Sequence, residues 1–360
     1  MSRPGLDTNP LELTPDWFNQ LFGEIGIDAE VASLTAKSIG TGQIGENVRF
    51  VFDYARKGAN APATLVGKFP SASEASLMTA KLLGHYEREV MIYRTFPKVA
   101  GRITPGAIYT DYDPDTNRFA LIMEDMAPAE QGDQLAGCSV EEARIAMDAA
   151  AVLHAAYWMD ETLDQHAWLQ GTSAAPPPAL GPDAVAALWT GFKERYGAHL
   201  TPDVVEVGDA YADAMPRMSE SRPGPFALIH NDYRLDNMLF GKPGSPKPLA
   251  VVDWQTAGKG APANDVAYFI GAGLTREERP KHEQALLRYY HDRLTAEGVT
   301  GYSFDELYRD YCLNCFYGMS VAFGAAMLVK QTDRGDLMFL TMLRRHAAQA
   351  RDNDALRLLP

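Results

Sequence analysis

Cysteine is scarce in this chain of 360 residues, which holds only Cys138, Cys312 and Cys315. Three thiols cannot staple a disulfide scaffold, and a reducing, cytoplasmic setting is the expectation. No basic start followed by an apolar core opens the sequence, so no secretory leader is expected. Long apolar runs are missing as well. The longest nearly apolar stretch, Phe316 to Val329, reads as too short to span a bilayer and carries Ser320 and two glycines. Positive charge is in deficit, with 33 Lys and Arg against 47 Asp and Glu and a net charge of −14. That balance argues against a nucleic-acid binder, whose phosphate contacts need clustered basic residues. It would suit a cationic partner through long-range attraction, although solubility alone explains such a charge. Hydrophobic content of 46% and charged content of 22% are ordinary for a globular chain. The length allows a substantial core divided between two lobes or domains.

What the chain does have is an ordered set of oxygen donors. It lies in His230-Asn231-Asp232-Tyr233-Arg234-Leu235-Asp236-Asn237, followed by Leu249-Ala250-Val251-Val252-Asp253-Trp254. Phosphoryl transfer from ATP needs one carboxylate to orient the attacking hydroxyl and take its proton, and oxygen ligands for Mg²⁺. Asp232 suits the first task, and Asn237 and Asp253 the second. A polar hairpin between core strands explains single residues here but not the ordered trio. His230 reads as a buried brace of the loop, Arg234 as a surface arginine and Asp236 as a turn residue. Asp265, in Asn264-Asp265-Val266-Ala267, could brace the loop, with helix N-capping as its expected main job.

Upstream, Gly40-x-Gly42-x-x-Gly45 matches a pattern shared by dinucleotide folds and kinases. A dinucleotide turn should open a helix, yet Val48, Phe50, Phe52 and Tyr54 alternate as in a strand. The glycines therefore read as a hairpin covering the ATP phosphates. Lys68, in Leu65-Val66-Gly67-Lys68-Phe69, is placed to bridge the α- and β-phosphates. Its expected carboxylate partner is Glu89 on the following amphipathic helix, with Glu87 as the competitor. Glu124 and Met126 close a strand just before the composition changes, where backbone groups would face adenine. Two patterns are discounted. Cys312-x-x-Cys315 has no second ligand pair and reads as core packing. Asp111, Asp113 and Asp115 lack the glycine and glutamate of a calcium loop and read as a hairpin turn.

Helical spacing of Trp17, Phe18, Leu21 and Phe22 after the Thr14-Pro15 start predicts an N-terminal helix. Further helices are expected from about Ser73 to Phe96, from the Ser139/Glu142 capping box to about Trp158, around Ala184–Tyr196 and Asp203–Met218, and from Arg276 onward. Strands are expected at Thr64–Phe69, Ala107–Tyr112 and Arg118–Met123.

These residues together resemble the aminoglycoside phosphotransferase / choline kinase superfamily of kinase-like phosphotransferases, from about Ser38 to the C-terminal helices. In motif the loop is similar to that of ecdysteroid-kinase-like proteins and of the kinase domains fused to some acyl-CoA dehydrogenases. Leu153-His154-Ala155-Ala156-Tyr157-Trp158 also looks like a helix end common in that group. The resemblance implies an α+β, bilobal, protein-kinase-like fold: residues 1–126 as a small antiparallel-sheet lobe and 127–360 as a larger, mainly helical lobe. It implies Asp232 as catalytic residue, Asn237 and Asp253 on magnesium, and Lys68 on ATP. It departs at Asn231, where many members carry glycine. The implied activity is transfer of the γ-phosphate of ATP to a hydroxyl of a small molecule, with an amphipathic hydroxylated metabolite or acyl derivative favoured by Trp158, Trp168, Trp189, Tyr311 and Tyr317. The alternatives are an aminoglycoside-modifying kinase, a regulatory nucleotide-binding scaffold without turnover and, more remotely, a nicotinamide-dependent oxidoreductase.

Overall fold

The computed structural model describes residues 6, 8–40, 45–169, 182–218, 224–329 and 331–360. The chain divides into two compact units, Met1–Pro128 with Ala250–Thr256, and Ala129–Leu249 with Ala257–Pro360. The return of Ala250–Thr256 to the first unit is invisible to a linear division at 126/127.

The smaller unit opens with α1 (Pro15–Ile25), where Thr14 Oγ1 accepts from the Trp17 N–H and Gly26 ends the helix at φ 75°. Then come β1 (Ala29–Ile39), β2 (Gly45–Lys57), β3 (Thr64–Pro70), α2 (Glu74–Leu83), α3 (His85–Thr95), β4 (Ala107–Asp113) and β5 (Arg118–Glu124). The strands form one antiparallel sheet in the order β1-β2-β3-β5-β4. Phe18 of α1 lies 4.9 Å from Phe50, tilted against it, and 4.8 Å from Phe52, edge-on, while Phe22 meets Phe52 edge-on. This aromatic core holds one face of the sheet, and its burial is the main stabilising term of the unit.

The larger unit contains β6 (Glu130–Gln131), α4 (Val140–Ala156), α5 (Pro182–Tyr196), α6 (Pro202–Met218), β7 (Ala227–Ile229) and β8 (Met238–Phe240). After β9 (Leu249–Val251) come β10 (Gly258–Gly260), α7 (Pro262–Gly273), α8 (Arg279–Ala296), α9 (Phe304–Leu328) and α10 (Asp333–Asp352). β7 pairs antiparallel with β10, and β6 with β8. Every residue of α7 is buried, which places it at the centre of the helical packing. Both halves of the capping box close at Ser139 and Glu142, and a second box forms at Ser303 and Glu306.

Four expectations change. The eleven-residue β1 escaped notice because it is an edge strand with only Val31 buried, so it shows no apolar alternation. The helix expected from Ser73 to Phe96 is two helices, broken where Gly84 adopts φ 66°. The apolar stretch from Phe316 belongs to the 25-residue α9, long and apolar enough by composition to cross a membrane, with 56% of its most apolar window buried inside the fold. Its buried face packs on α7 and α10, the pattern of a core helix. Asp265 does not cap α7; Ala261 occupies that position without a side-chain bond.

Burial pushes His85 and His346 down to about 4, each with further lowering from nearby arginines. An unfolded chain takes up these protons near pH 6.5, so it binds more protons than the folded one between about 4 and 6.5. Stability from this source is complete above pH 6.5 and lost on acidification. Thermal melts should therefore show a midpoint that falls from pH 6.5 to 5, above the range where carboxylates titrate; a flat midpoint across that interval contradicts it.

Candidate active site

In the smaller unit, β3 presents Lys68 opposite Asn47 of β2 and Leu121 of β5. Its ammonium lies 2.9 Å from Glu89 Oε2 and 2.8 Å from Asp253 Oδ1. Lys68 and Glu89 are buried. Burial opposes the ammonium, but Asp253 and Glu89 outweigh it and hold Lys68 above its ordinary range. Glu89 is raised by burial, with Lys68 pulling it back. The structure thus brings Glu89, and not Glu87, onto Lys68. Asp253 sits at φ 66°, a left-handed conformation costing a non-glycine residue about 1 kcal/mol. Such strain is found at functional positions when the surroundings enforce it.

Gly40 ends β1 at φ 74°, and Gly45 starts β2 opposite Pro70. A Cβ on Gly45 would meet Phe69 O at 3.0 Å and the Lys68 side chain at 3.5 Å, so the strand lies directly over the lysine stem. Gly42 lies outside the described residues. Glu124 closes β5, and its N–H is taken by Gly106 O at 2.9 Å. Met126 follows, half-buried. Between them Asp125 pairs with Arg49 at 2.7 Å.

In the larger unit, the loop from β7 to β8 carries Asp232, whose side chain is 20% exposed. Oδ1 accepts from Arg234 Nε at 2.9 Å and from the Tyr268 hydroxyl at 3.0 Å. Oδ2 accepts from Asn237 Nδ2 at 2.8 Å, and the same amide group donates to the Asp232 carbonyl at 2.9 Å. Both Asn237 donors are thereby engaged, which leaves Oδ1 of that amide as the atom able to ligate a cation. Arg234 is no surface residue, because its guanidinium bridges Asp232 and Asp236 at 2.9 and 2.8 Å. Burial disfavours its charge, and the two carboxylates more than restore it. Asp236 also accepts from the Gln134 N–H at 3.0 Å. Gln134 Oε1 in turn receives the Leu235 N–H at 3.0 Å, so the 131–135 segment and the loop hold each other.

Behind the loop, Asp265 accepts from the N–H groups of His230 at 2.7 Å and Asn231 at 2.9 Å. Asn231 stands at φ 69°, with Asn264 on its side chain and the Tyr317 hydroxyl on its carbonyl. Glycine tolerates this conformation without strain, and here the four bonds replace that tolerance. His230 is buried and accepts from the Asp232 N–H at 3.2 Å, a bracing contact.

Sequence reading missed Tyr268 and Gln134. Tyr268 could have been found, since it lies three residues beyond Asp265 and so shares its helix face. Gln134 carries no local signal. Trp189 and Tyr311 are core residues, bonded to Asp209 and Glu283, while Tyr317 reaches the loop. Trp158 lines a separate cleft of about 320 Å³ with Tyr302, Arg309 and Asp310. Cys312 and Cys315 are buried, free thiols, and the Asp113 turn closes onto Asp115 and Thr116. Among the described residues, no three His, Cys, Asp or Glu side chains converge as a metal cage. Asn237 Oδ1 in the larger unit and the Asp253 carboxylate in the smaller are each hard oxygen donors of the kind Mg²⁺ takes.

Fold and site define an α+β protein of the protein-kinase-like class, with a five-stranded antiparallel sheet in one unit and a mainly helical second unit. Residues 115–303, more than half the chain, match the model of the phosphotransferase enzyme family (APH), and the chain belongs to that family. Its fold is similar to ethanolamine kinase from Plasmodium vivax, with TM-score 0.55 and 13% identity over 92% of this chain and 87% of that one. Choline kinase from Cryptosporidium parvum gives TM-score 0.54 and 9% identity over 90% and 92%. The mouse protein acyl-CoA dehydrogenase family member 10 is 38% identical over 88 residues, 24% of this chain and 8% of that protein. The chain therefore aligns with less than a tenth of that relative's length.

The Lys68 pairing yields a test that needs no activity. Glu89→Gln should lower stability by roughly 1–3 kcal/mol, because a buried ammonium loses one of two charged partners. Glu87→Gln should stay within about 0.5 kcal/mol of wild type. Equal effects in denaturant titrations would remove the distinction.

Proposed function

We propose that this phosphotransferase moves the γ-phosphate of ATP to a hydroxyl of a small molecule in a magnesium-dependent reaction. The observation that carries this reading is the hydrogen-bonding of Asp232. Arg234 and Tyr268 occupy Oδ1 and Asn237 occupies one position on Oδ2, leaving an acceptor site on Oδ2 for an incoming hydroxyl. Asp232 orients that hydroxyl and takes its proton late, as charge passes to the phosphate. Arg234 keeps a fixed positive charge beside the reacting oxygen, and Tyr268 holds the carboxylate rotamer.

Lys68, kept charged by its two carboxylates, serves the α- and β-phosphates, with Glu89 aligning it. Gly40 and Gly45 flank the segment that would cover the phosphates with backbone N–H groups, and the strand end at Glu124 and Met126 receives adenine. Asn237 Oδ1 and Asp253 are the side chains that would hold Mg²⁺. When bound, the ion neutralises triphosphate charge that Lys68 alone cannot balance.

ADP release should be followed with Mg·ATP and a panel of amino alcohols, aminoglycosides, sterols and hydroxy acids. Wild type is expected to respond to one class, and Asp232→Asn to lose about 10²–10⁴-fold in kcat. A response unaffected by Asp232→Asn would overturn the assignment. Tight Mg·ATP binding with no acceptor response would favour a nucleotide-binding protein without turnover.

A further inference from the structure

His346 of α10 is fully buried and has no part in the chemistry above. Its imidazole sits where α7, α9 and α10 meet. A Cβ on Gly318 of α9 would come within 2.1 Å of Nε2, and one on Gly271 of α7 within 2.4 Å of Nδ1. Glycine at both positions is therefore the condition for this seat. Gly271 lies one helical turn beyond Tyr268, on the same face, so the space it leaves is beside that tyrosine. The two rings have centroids 5.6 Å apart and planes tilted by 34°. Tyr317 meets Tyr268 edge-on, at 5.7 Å and 87°. Two rings thus bear on Tyr268, whose hydroxyl donates to Asp232 Oδ1 at 3.0 Å.

Gln349, one turn further along α10, fixes the orientation of the imidazole. Its Nε2 donates to the Ala267 carbonyl at 3.0 Å and to the Tyr311 hydroxyl at 2.7 Å, and Tyr311 gives its own hydrogen to Glu283. With both amide hydrogens placed, Gln349 Oε1 is an acceptor, and the hydrogen in its 3.0 Å contact with His346 belongs to Nδ1. Nε2 is then a bare lone pair, and among the described residues it has no hydrogen-bond partner. Burying such an atom costs stability. A phenyl ring would avoid that cost, but it reaches further toward Gly318 and gives nothing to Gln349.

We propose that His346 is a positioning residue for phosphoryl transfer: tied to Gln349 and seated against Gly271 and Gly318, it keeps the Tyr268 ring turned so that its hydroxyl stays on Asp232. The inference rests on the role proposed for Asp232. Tyr268 helps to occupy Oδ1, and that occupation leaves Oδ2 to the acceptor hydroxyl. Burial, with Asp232 adding to it, holds the phenol far above its ordinary range, so it remains a donor. Once the ring turns away, Oδ1 keeps only Arg234 and the carboxylate gains freedom to rotate. A misplacement of about 1 Å at a reacting group costs up to about 10²-fold in rate.

His346→Asn keeps a donor near the Nδ1 position and removes the ring, whereas Gly318→Ala keeps the ring and displaces it. Acceptor-dependent kcat should fall about tenfold in each, as in Tyr268→Phe, with KM for Mg·ATP within about twofold of wild type. Adding His346→Asn to Tyr268→Phe should slow transfer no further, because the histidine acts through the tyrosine hydroxyl. A histidine kept for packing alone would multiply the two losses. That result, or wild-type kcat in both His346→Asn and Gly318→Ala, overturns the proposal. Two readouts need no turnover. Nitrogen-15 NMR of wild type should show His346 as the neutral Nδ1–H tautomer. Carbon-13 tyrosine spectra should show the Tyr268 ring, identified by its loss in Tyr268→Phe, flipping faster in His346→Asn and Gly318→Ala than in wild type. An Nε2–H imidazole, or an unchanged flip rate in both variants, also overturns it. If wild type transfers phosphate to no acceptor, the role of Asp232 fails, and tautomer and ring flipping alone decide whether His346 holds Tyr268.

Discussion

Asp265 sits inside α7, the most deeply buried helix of the larger unit, and its two carboxylate oxygens receive the backbone N–H groups of His230 and Asn231. Those two bonds impose a left-handed conformation on an asparagine immediately before Asp232. An ordinary loop would relax from that conformation. Here relaxation would deprive a buried carboxylate of its backbone donors, which costs more than the strain it relieves. The direction in which Asp232 leaves the backbone is therefore set by the helical core. Arg234, Tyr268 and Asn237 then set the side chain.

Each unit holds its own arrangement of charge. The smaller unit holds a buried ammonium that two carboxylates keep protonated. The larger holds a carboxylate whose lone pairs are nearly all engaged. A fully oriented carboxylate matches a reaction in which proton transfer is late and positioning does most of the work. The overall acidity of the chain has no bearing on this, since the local charges are paired and partly buried.

Much of this was legible in the sequence. The trio Asp232, Asn237 and Asp253 stood out because polar residues at fixed spacing interrupt apolar strands, and such interruptions need a reason. Glu89 could be preferred over Glu87 from its helix face, and the Lys68 strand from its apolar neighbours. What escaped detection depends on distance along the chain. Gln134 meets Leu235 across 101 positions, and His154 meets Asp265 across 111, with no local pattern to announce either. Asp265 was read as a possible brace of the loop, but its main job was misjudged as capping, because an acidic residue early in a helix usually caps it and only tertiary packing shows which role it takes. β1 was missed for the opposite reason: as an exposed edge it has almost no pattern to read.

The division of labour between Lys68 and Asp232 is the central claim, and calorimetric titration with Mg·ATP tests it most directly. Lys68→Met should weaken binding by about 10–100-fold, the value of a charged contact to phosphate. Asp232→Asn should bind the nucleotide as wild type does. Loss of nucleotide affinity in Asp232→Asn, with Lys68→Met binding normally, would contradict the account.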